Sequence, residues 1–206
     1  MNQPLTLVLI GRSGCGKGTQ AELLKPLLNN PYYAATGDFF RDLAKQDTAV
    51  SQRIKKILSE GGLPLDEIAV ALLVHDIAYN LKIDQNAILD GTHRRMLEAQ
   101  HCDNLFKFLE RFENMKVLLV DISRDEAFKR LKLRAREDDT DEAINSRLDY
   151  YDERVVPVVE HYEKLGKLLK IDGERSVEDI HEDIIQQLGL KIVATTSSDF
   201  VSEPLT

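Results

Sequence analysis

The sequence predicts a three-layer αβα fold, a doubly wound α/β architecture around a five-stranded parallel sheet, and three observations carry that expectation. Five short apolar runs suit strands buried on both faces. Long amphipathic helical patterns separate them, and such βα alternation places helices on both sides of a parallel sheet. The first run passes straight into a glycine-rich turn and a lysine. Ligands of such folds bind beyond the carboxyl ends of the strands, so this turn locates the site.

The first strand reads Leu5 to Ile10, and Gly11-Arg12-Ser13-Gly14-Cys15-Gly16-Lys17-Gly18-Thr19-Gln20 follows at once. Successive backbone N–H groups in such a turn point inward at an anion, and the next helix adds the positive end of its dipole. Lys17 supplies a full charge near the β- and γ-phosphates. Side chains in place of the glycines would block the approach. The turn therefore implies a nucleoside triphosphate as ligand. It departs from the general G-x-x-x-x-G-K-[ST] pattern at one place, where Gly18 follows the lysine and the hydroxyl comes one residue later as Thr19.

The remaining strands are expected at Tyr33–Ala35, Asn86–Leu89, Lys116–Ile122 and Lys167–Ile171. Asp90 follows the third strand, where it would meet the glycine-rich turn. Between the second and third strands a mostly helical pattern runs from Asp38 to Tyr79, interrupted at Gly61-Gly62-Leu63-Pro64. A simple crossover needs only about a dozen residues. The surplus predicts a helical flap over the site, with the Gly-Gly-Leu-Pro turn joining two of its helices. Residues 191–206 carry Thr195-Thr196-Ser197-Ser198 without sustained periodicity and are expected to form a flexible tail.

At 206 residues and 43% hydrophobic, the chain is long enough for one sizeable core. A net charge of -8 argues against a nucleic-acid partner and leaves room for a local arginine cluster around a small anionic substrate. Two cysteines, Cys15 and Cys102, have no metal-ligand spacing and suit a reducing compartment. Cys15 reads either as a small filler of the turn or as a thiolate favoured by Lys17. The five histidines are scattered and no metal is assigned to them. No leader pattern and no apolar run of membrane-spanning length is visible, so a cytoplasmic monomer with no membrane partner is expected.

Read as G-x-x-G-x-G-K-G-T-Q, Gly11 to Gln20 resemble the P-loop of adenylate kinases and related nucleoside monophosphate kinases, and the resemblance covers most of residues 5 to 188. It implies a kinase domain over residues 1–190, with a monophosphate-binding flap over about 36–66 and a minimal lid over about 131–137. Gly11, Ser13, Gly14, Cys15, Gly16, Lys17, Gly18 and Thr19 would then bind ATP. Thr36-Gly37-Asp38-Phe39-Phe40-Arg41 resembles the start of the flap, where Thr36 would face the acceptor base and Arg41 its phosphate. Gly37, Phe40, Leu58 and Pro64 would complete that pocket. Leu89-Asp90-Gly91-Thr92-His93-Arg94 resembles the family's Leu-Asp-Gly-Phe-Pro-Arg. Asp90 would hold Mg²⁺ through water, while Gly91 and Arg94 would meet the acceptor. Here Thr92-His93 removes a proline that would fix the turn carrying Arg94.

Four residues beyond that arginine the family usually carries a glutamine that reads AMP, and this chain has Glu98. A glutamine both donates and accepts, whereas an ionised carboxylate only accepts. Glu98 would accept from the adenine N6 amine or suit the N1–H and N2–H donors of guanine, and Gln100 is the nearby substitute. By the same resemblance Arg130 packs on the donor adenine, Arg134 meets the donor phosphates, and Arg136 and Arg147 reach the phosphoryl in flight. Only Ala135 separates Arg134 from Arg136, so the lid is almost absent.

The implied activity is transfer of the γ-phosphoryl of Mg·ATP to AMP. The alternatives are a kinase for GMP, UMP or CMP, and a nucleotide-binding module with little turnover.

Overall fold

A computed structural model describes residues 3–60, 62, 64–136 and 139–190. The expectations made for Gly61, Leu63, Glu137, Asp138 and the 191–206 tail fall outside the described residues.

All five expected strands form, as β1 Thr6–Ile10, β2 Tyr32–Ala35, β3 Ala87–Asp90, β4 Met115–Asp121 and β5 Leu168–Asp172. They pair in parallel in the order β2-β3-β1-β4-β5. The register aligns their carboxyl ends: Leu9 and Ala35 face Asp90, Ile10 faces Leu119, and Asp121 faces Asp172. Everything that follows a strand therefore emerges at one edge of the sheet.

Nine α-helices are found among the described residues: α1 Lys17–Leu24, α2 Thr36–Ala44, α3 Ala49–Ser59, α4 Asp66–Asn80, α5 Met96–Phe108, α6 Arg124–Arg134, α7 Asp141–Tyr150, α8 Val156–Lys164 and α9 Val177–Leu188. Strand side chains alternate between two apolar cores. Val8, Ile10, Leu89, Val117 and Leu119 pack with Leu73 and Ile77 of α4, Phe106 of α5 and Tyr162 of α8. Leu7, Leu9, Ile88, Leu118 and Val120 pack with Leu24 of α1, Leu131 of α6, Ile144 of α7 and Ile184 of α9. Both faces of the sheet are thus covered, the arrangement that near-continuous apolar strands require.

The flap is more divided than the sequence suggests. A second break at Lys45–Thr48 splits the first helical stretch into α2 and α3, because the Thr48 hydroxyl accepts the Ser51 N–H at 3.1 Å and starts a new helix. Phe40, Ile54 and Ala69, one from each of α2, α3 and α4, close a small core of the flap's own.

The boundary expected for the lid also shifts. Leu131 to Arg134 are the last turn of α6, and Leu131 is fully buried in the core, so this part is not a lid. The described connection to α7 is Ala135, Arg136, Asp139 and Thr140, with Ala135 in the left-handed conformation at φ 49°. Ser123 and Thr140 cap the two helices by accepting from Glu126 and Ala143 N–H groups.

The helix after Arg147 is not continuous. A π-helical turn, Tyr151–Val155, lies between α7 and α8. Pro157 lacks the N–H that an unbroken helix would donate to Glu153, and the widened turn lies directly before it.

Candidate active site

The glycine-rich turn leaves β1 with three residues in the positive-φ region: Gly11 at 152°, Gly14 at 85° and Gly16 at 98°. A Cβ on Gly11 would stand 2.5 Å from the Val120 carbonyl oxygen of the neighbouring strand. On Gly14 it would stand 3.2 Å from Leu131, so α6 crosses directly over the turn. Lys17 folds back across it, donating to the carbonyls of Gly11 at 2.8 Å and Arg12 at 3.1 Å. Its ammonium lies 3.4 Å from the Cys15 sulfur, which is buried beneath the turn. Ser13 is half-buried, and Gly18 and Thr19 are exposed at the start of α1.

Beside the cradle is a cavity of about 380 Å³ lined by Cys15, Gly16, Thr19, Arg130, Arg175 and Val177 among others. Gln20, buried in α1, donates to the Val177 carbonyl at 2.9 Å and so joins the cradle's helix to the start of α9. The Arg130 guanidinium is held by Glu126, one helical turn earlier, at 2.7 Å. Arg175, which no sequence motif marked, belongs to the same wall and pairs with Asp183 at 2.5 Å.

Asp90 ends β3 next to the cradle, with a carboxylate oxygen 3.9 Å from where a Gly18 Cβ would stand. Tyr33 donates to that oxygen at 3.4 Å. Burial, reinforced by Asp90, pushes the Tyr33 phenol well above its ordinary value, so it remains a donor.

After β2, Thr36 opens α2 buried, and its hydroxyl has no hydrogen-bond partner. A buried hydroxyl in that state is costly unless something pairs with it. Phe40 is buried in the flap core, Leu58 packs against that core, and Pro64 is buried before α4. A Cβ on Gly37 would approach the Arg41 guanidinium at 3.1 Å. Arg41 itself is exposed and paired with Asp38.

The turn carrying Arg94 holds itself without the proline. Gly91 adopts φ 64°, its carbonyl accepts Arg94 Nε–H at 2.8 Å, and Glu98 accepts the Arg94 backbone N–H at 2.7 Å. Glu98 is 5% exposed, and burial pushes its carboxyl up to about 7 although the Arg94 amide and guanidinium pull it down. The carboxylate expected to face an acceptor base is thus also a cap of this turn. Gln100 is exposed on α5. His93 lies in the core, its Nδ1 within 2.7 Å of the Thr92 hydroxyl and its Nε2 unpartnered. Desolvation drives it down to about 4, so it is neutral. Arg95, also unmarked by any motif, stacks on Tyr150 and bonds to Tyr150 and to Asp66 at the start of α4, tying flap, turn and α7 together.

Three of the expected arginines converge on one carboxylate that sequence reasoning did not select. Arg134 donates twice to Asp139, at 2.8 and 3.0 Å, Arg147 donates at 2.7 Å, and the Arg136 backbone N–H donates at 3.1 Å. Burial raises the Asp139 carboxyl, but these donors outweigh it and hold the group down at about 2. The available signal was the Asp138-Asp139 pair that follows Arg134 and Arg136 in the sequence.

The candidate site thus holds a glycine-rich turn with a lysine, a buried hydroxyl after β2 at the same edge of the sheet, and α6 crossing the turn with Arg130 beside it. A sequence model of adenylate kinases matches residues 9–167. The adenylate kinase of Prochlorococcus marinus (strain MIT 9211) is 34% identical over 184 residues, covering 89% of this chain and 97% of that protein. Those of Xylella fastidiosa (strain 9a5c) and Xanthomonas campestris pv. campestris (strain 8004) are 31% and 33% identical, each over 90% of this chain and 100% of its own length. No helix among the described residues is long and apolar enough to cross a membrane. With the family's match spanning most of the chain, from β1 to the threshold of β5, this protein belongs to the adenylate kinase family.

Proposed function

We propose that the chain transfers the γ-phosphoryl group of Mg·ATP to AMP, giving two ADP. The observation that supports this reading is the crossing of α6 over the cradle at Gly14, together with the cavity that Arg130 of α6 shares with Cys15 and Gly16 of the cradle. Phosphoryl transfer spreads negative charge over three oxygens and asks a protein for position and countercharge. Planar guanidiniums supply both. No base is required, since the acceptor phosphate is already ionised near pH 7.

In this reading Gly11, Ser13, Gly14, Cys15, Gly16, Gly18 and Thr19 wrap the donor phosphates through backbone and hydroxyl groups. Lys17 leaves the Gly11 and Arg12 carbonyls for the β- and γ-phosphates, and Arg130 packs on the adenine in the cavity it lines. Arg134, Arg136 and Arg147 neutralise the moving group, preset by Asp139. Arg41 and Arg94 hold the acceptor phosphate. Thr36 supplies its unpaired hydroxyl to the base, within a pocket of Gly37, Phe40, Leu58, Pro64, Gly91 and Glu98.

The donor set also suits Mg²⁺. Asp90 offers one hard carboxylate beside the cradle, and no group of three or more metal-binding side chains occurs among the described residues. That is the pattern of an ion carried in on phosphates and steadied by the protein through water. When bound, it would supply charge neutralisation between the phosphates, with Asp90 orienting its water shell.

The test is ADP formation from Mg·ATP against AMP, GMP, CMP, UMP and their deoxy forms, with a no-acceptor control and Lys17→Ala. AMP-dependent ADP that the variant loses is expected. Preference for another base would overturn the acceptor assignment, and ATP binding without acceptor-dependent ADP would overturn the activity.

A further inference from the structure

Arg12 occupies the second position of the cradle, and its side chain leaves the phosphate surface altogether. Nη1 donates to the Ile122 carbonyl at 2.9 Å, Nη2 donates to Asp152 at 2.6 Å, and the guanidinium lies 4.3 Å from the centre of the Tyr151 ring. Asp121, at the end of β4, stands 3.7 Å from Nη1. The other oxygen of Asp152 takes Arg124, the first residue of α6, at 3.3 Å. Arg124 reaches further to Asp149 at 2.8 Å and to Asn145 at 3.3 Å, both on α7.

One carboxylate therefore joins three pieces: the cradle through Arg12, the start of α6 through Arg124, and the segment that follows α7, in which Asp152 itself lies. The π-helical turn makes this possible, because its extra residue per turn places Tyr151 beneath Arg12 and Asp152 beside it. The two helices joined here are those that carry Arg130, Arg134 and Arg147. With only a short connection between α6 and α7, there is little lid to bring these arginines in during closure. Their approach to the donor phosphates has to be set beforehand.

We propose that Asp152, bridging Arg12 and Arg124, is the positioning residue that latches the α6–α7 arginine hairpin to the phosphate cradle. The proposal rests on the phosphoryl-transfer reading above. Asp152 touches no substrate in this scheme; it acts through the place of Arg12's backbone, whose carbonyl accepts from Lys17, and through the start of α6. Each contact is partly exposed, and such pairs add little to stability. Geometry at a transfer site is less forgiving, where a displacement of about 1 Å costs on the order of a hundredfold in rate.

The experiment compares the unaltered chain with Asp152→Asn, Arg12→Lys and the double variant, reading single-turnover transfer from Mg·ATP to AMP, both KM values and the melting temperature. Asp152→Asn is expected to slow transfer roughly tenfold while the KM values stay within about twofold and the melting temperature is nearly unchanged. The double variant is expected to be no slower than Asp152→Asn alone, because losing that carboxylate already breaks the bridge to Arg12. Asp152→Glu is expected to recover part of the rate. Full-speed transfer by Asp152→Asn, additive losses, or a loss that appears only alongside a fall in melting temperature would overturn the latch. Absence of ADP from the unaltered chain would instead overturn the phosphoryl-transfer reading, and the latch with it.

Discussion

Glu98 accepts the backbone N–H of Arg94 at 2.7 Å, so the residue expected to read the acceptor base also fixes the turn that carries Arg94. The carboxyl is buried and pushed up to about 7 by desolvation, with Asp66 adding to the rise and Arg94 and Arg95 opposing it. Cys102 and Tyr150 stand close enough to feel its charge.

Because the folded state holds that proton more tightly than the unfolded chain, Glu98 contributes stability below about pH 4.5 that is lost as pH rises to about 7. The loss is on the order of 3 kcal/mol. Glu98→Gln keeps the shape and removes the titration. Denaturant unfolding at pH 5 and pH 8 is expected to show the variant gaining on the unaltered chain at the higher pH, and an unchanged difference would count against the burial argument.

Asp139 has the opposite sign. Its folded value of about 2 lies below its unfolded one, so its stabilisation is present above about pH 4 and fades as pH falls toward 2. Asp139→Asn removes the charge that Arg134 and Arg147 both contact, and is expected to cost roughly 1–3 kcal/mol at pH 7. Acid unfolding of the variant should show a flatter limb between pH 4 and 2, and its transfer rate should fall along with its stability.

Gly91→Ala addresses only the turn that carries Arg94. The position has φ 64°, and the new methyl carbon would stand 2.8 Å from an Arg94 guanidinium nitrogen. The backbone strain is about 1 kcal/mol, and the guanidinium, as the end of a flexible side chain, moves aside. KM for AMP is expected to rise several-fold with KM for ATP unchanged, measured by steady-state kinetics with each substrate varied in turn.

A connection between α6 and α7 this short leaves the donor phosphates less shielded from water than a full lid would. Phosphate release from Mg·ATP without AMP is expected to be measurable above the Lys17→Ala background. A rate equal to that background would show that the site excludes water by other means.

Much of this was legible before any coordinates. Apolar runs mark every strand to within a residue or two because the central strands are buried on both faces, where apolar side chains dominate. The Gly11–Lys17 turn is legible because its geometry forbids side chains, as the Gly11 contact with Val120 shows. The flap break at Lys45–Thr48 had a weak signal, Thr48 as a helix cap, which an otherwise helical pattern concealed. Asp139, Arg12, Arg95 and Arg175 were not selected, since a charged residue on a surface helix or loop looks the same whether it faces solvent or a partner distant in sequence.

The sequence by itself determined the sheet, its edge for ligands, the phosphate cradle and the identity of the arginines, all of which follow from local pattern and backbone sterics. Tertiary structure alone decided which carboxylate each arginine meets. Asp139 collects Arg134 and Arg147, Asp152 joins Arg12 to Arg124 across 140 and 28 residues of chain, and Glu98 turns back onto Arg94. Ion pairs depend on distances of a few ångströms between side chains that only the packed helices bring together, and no periodicity in the chain encodes such distances.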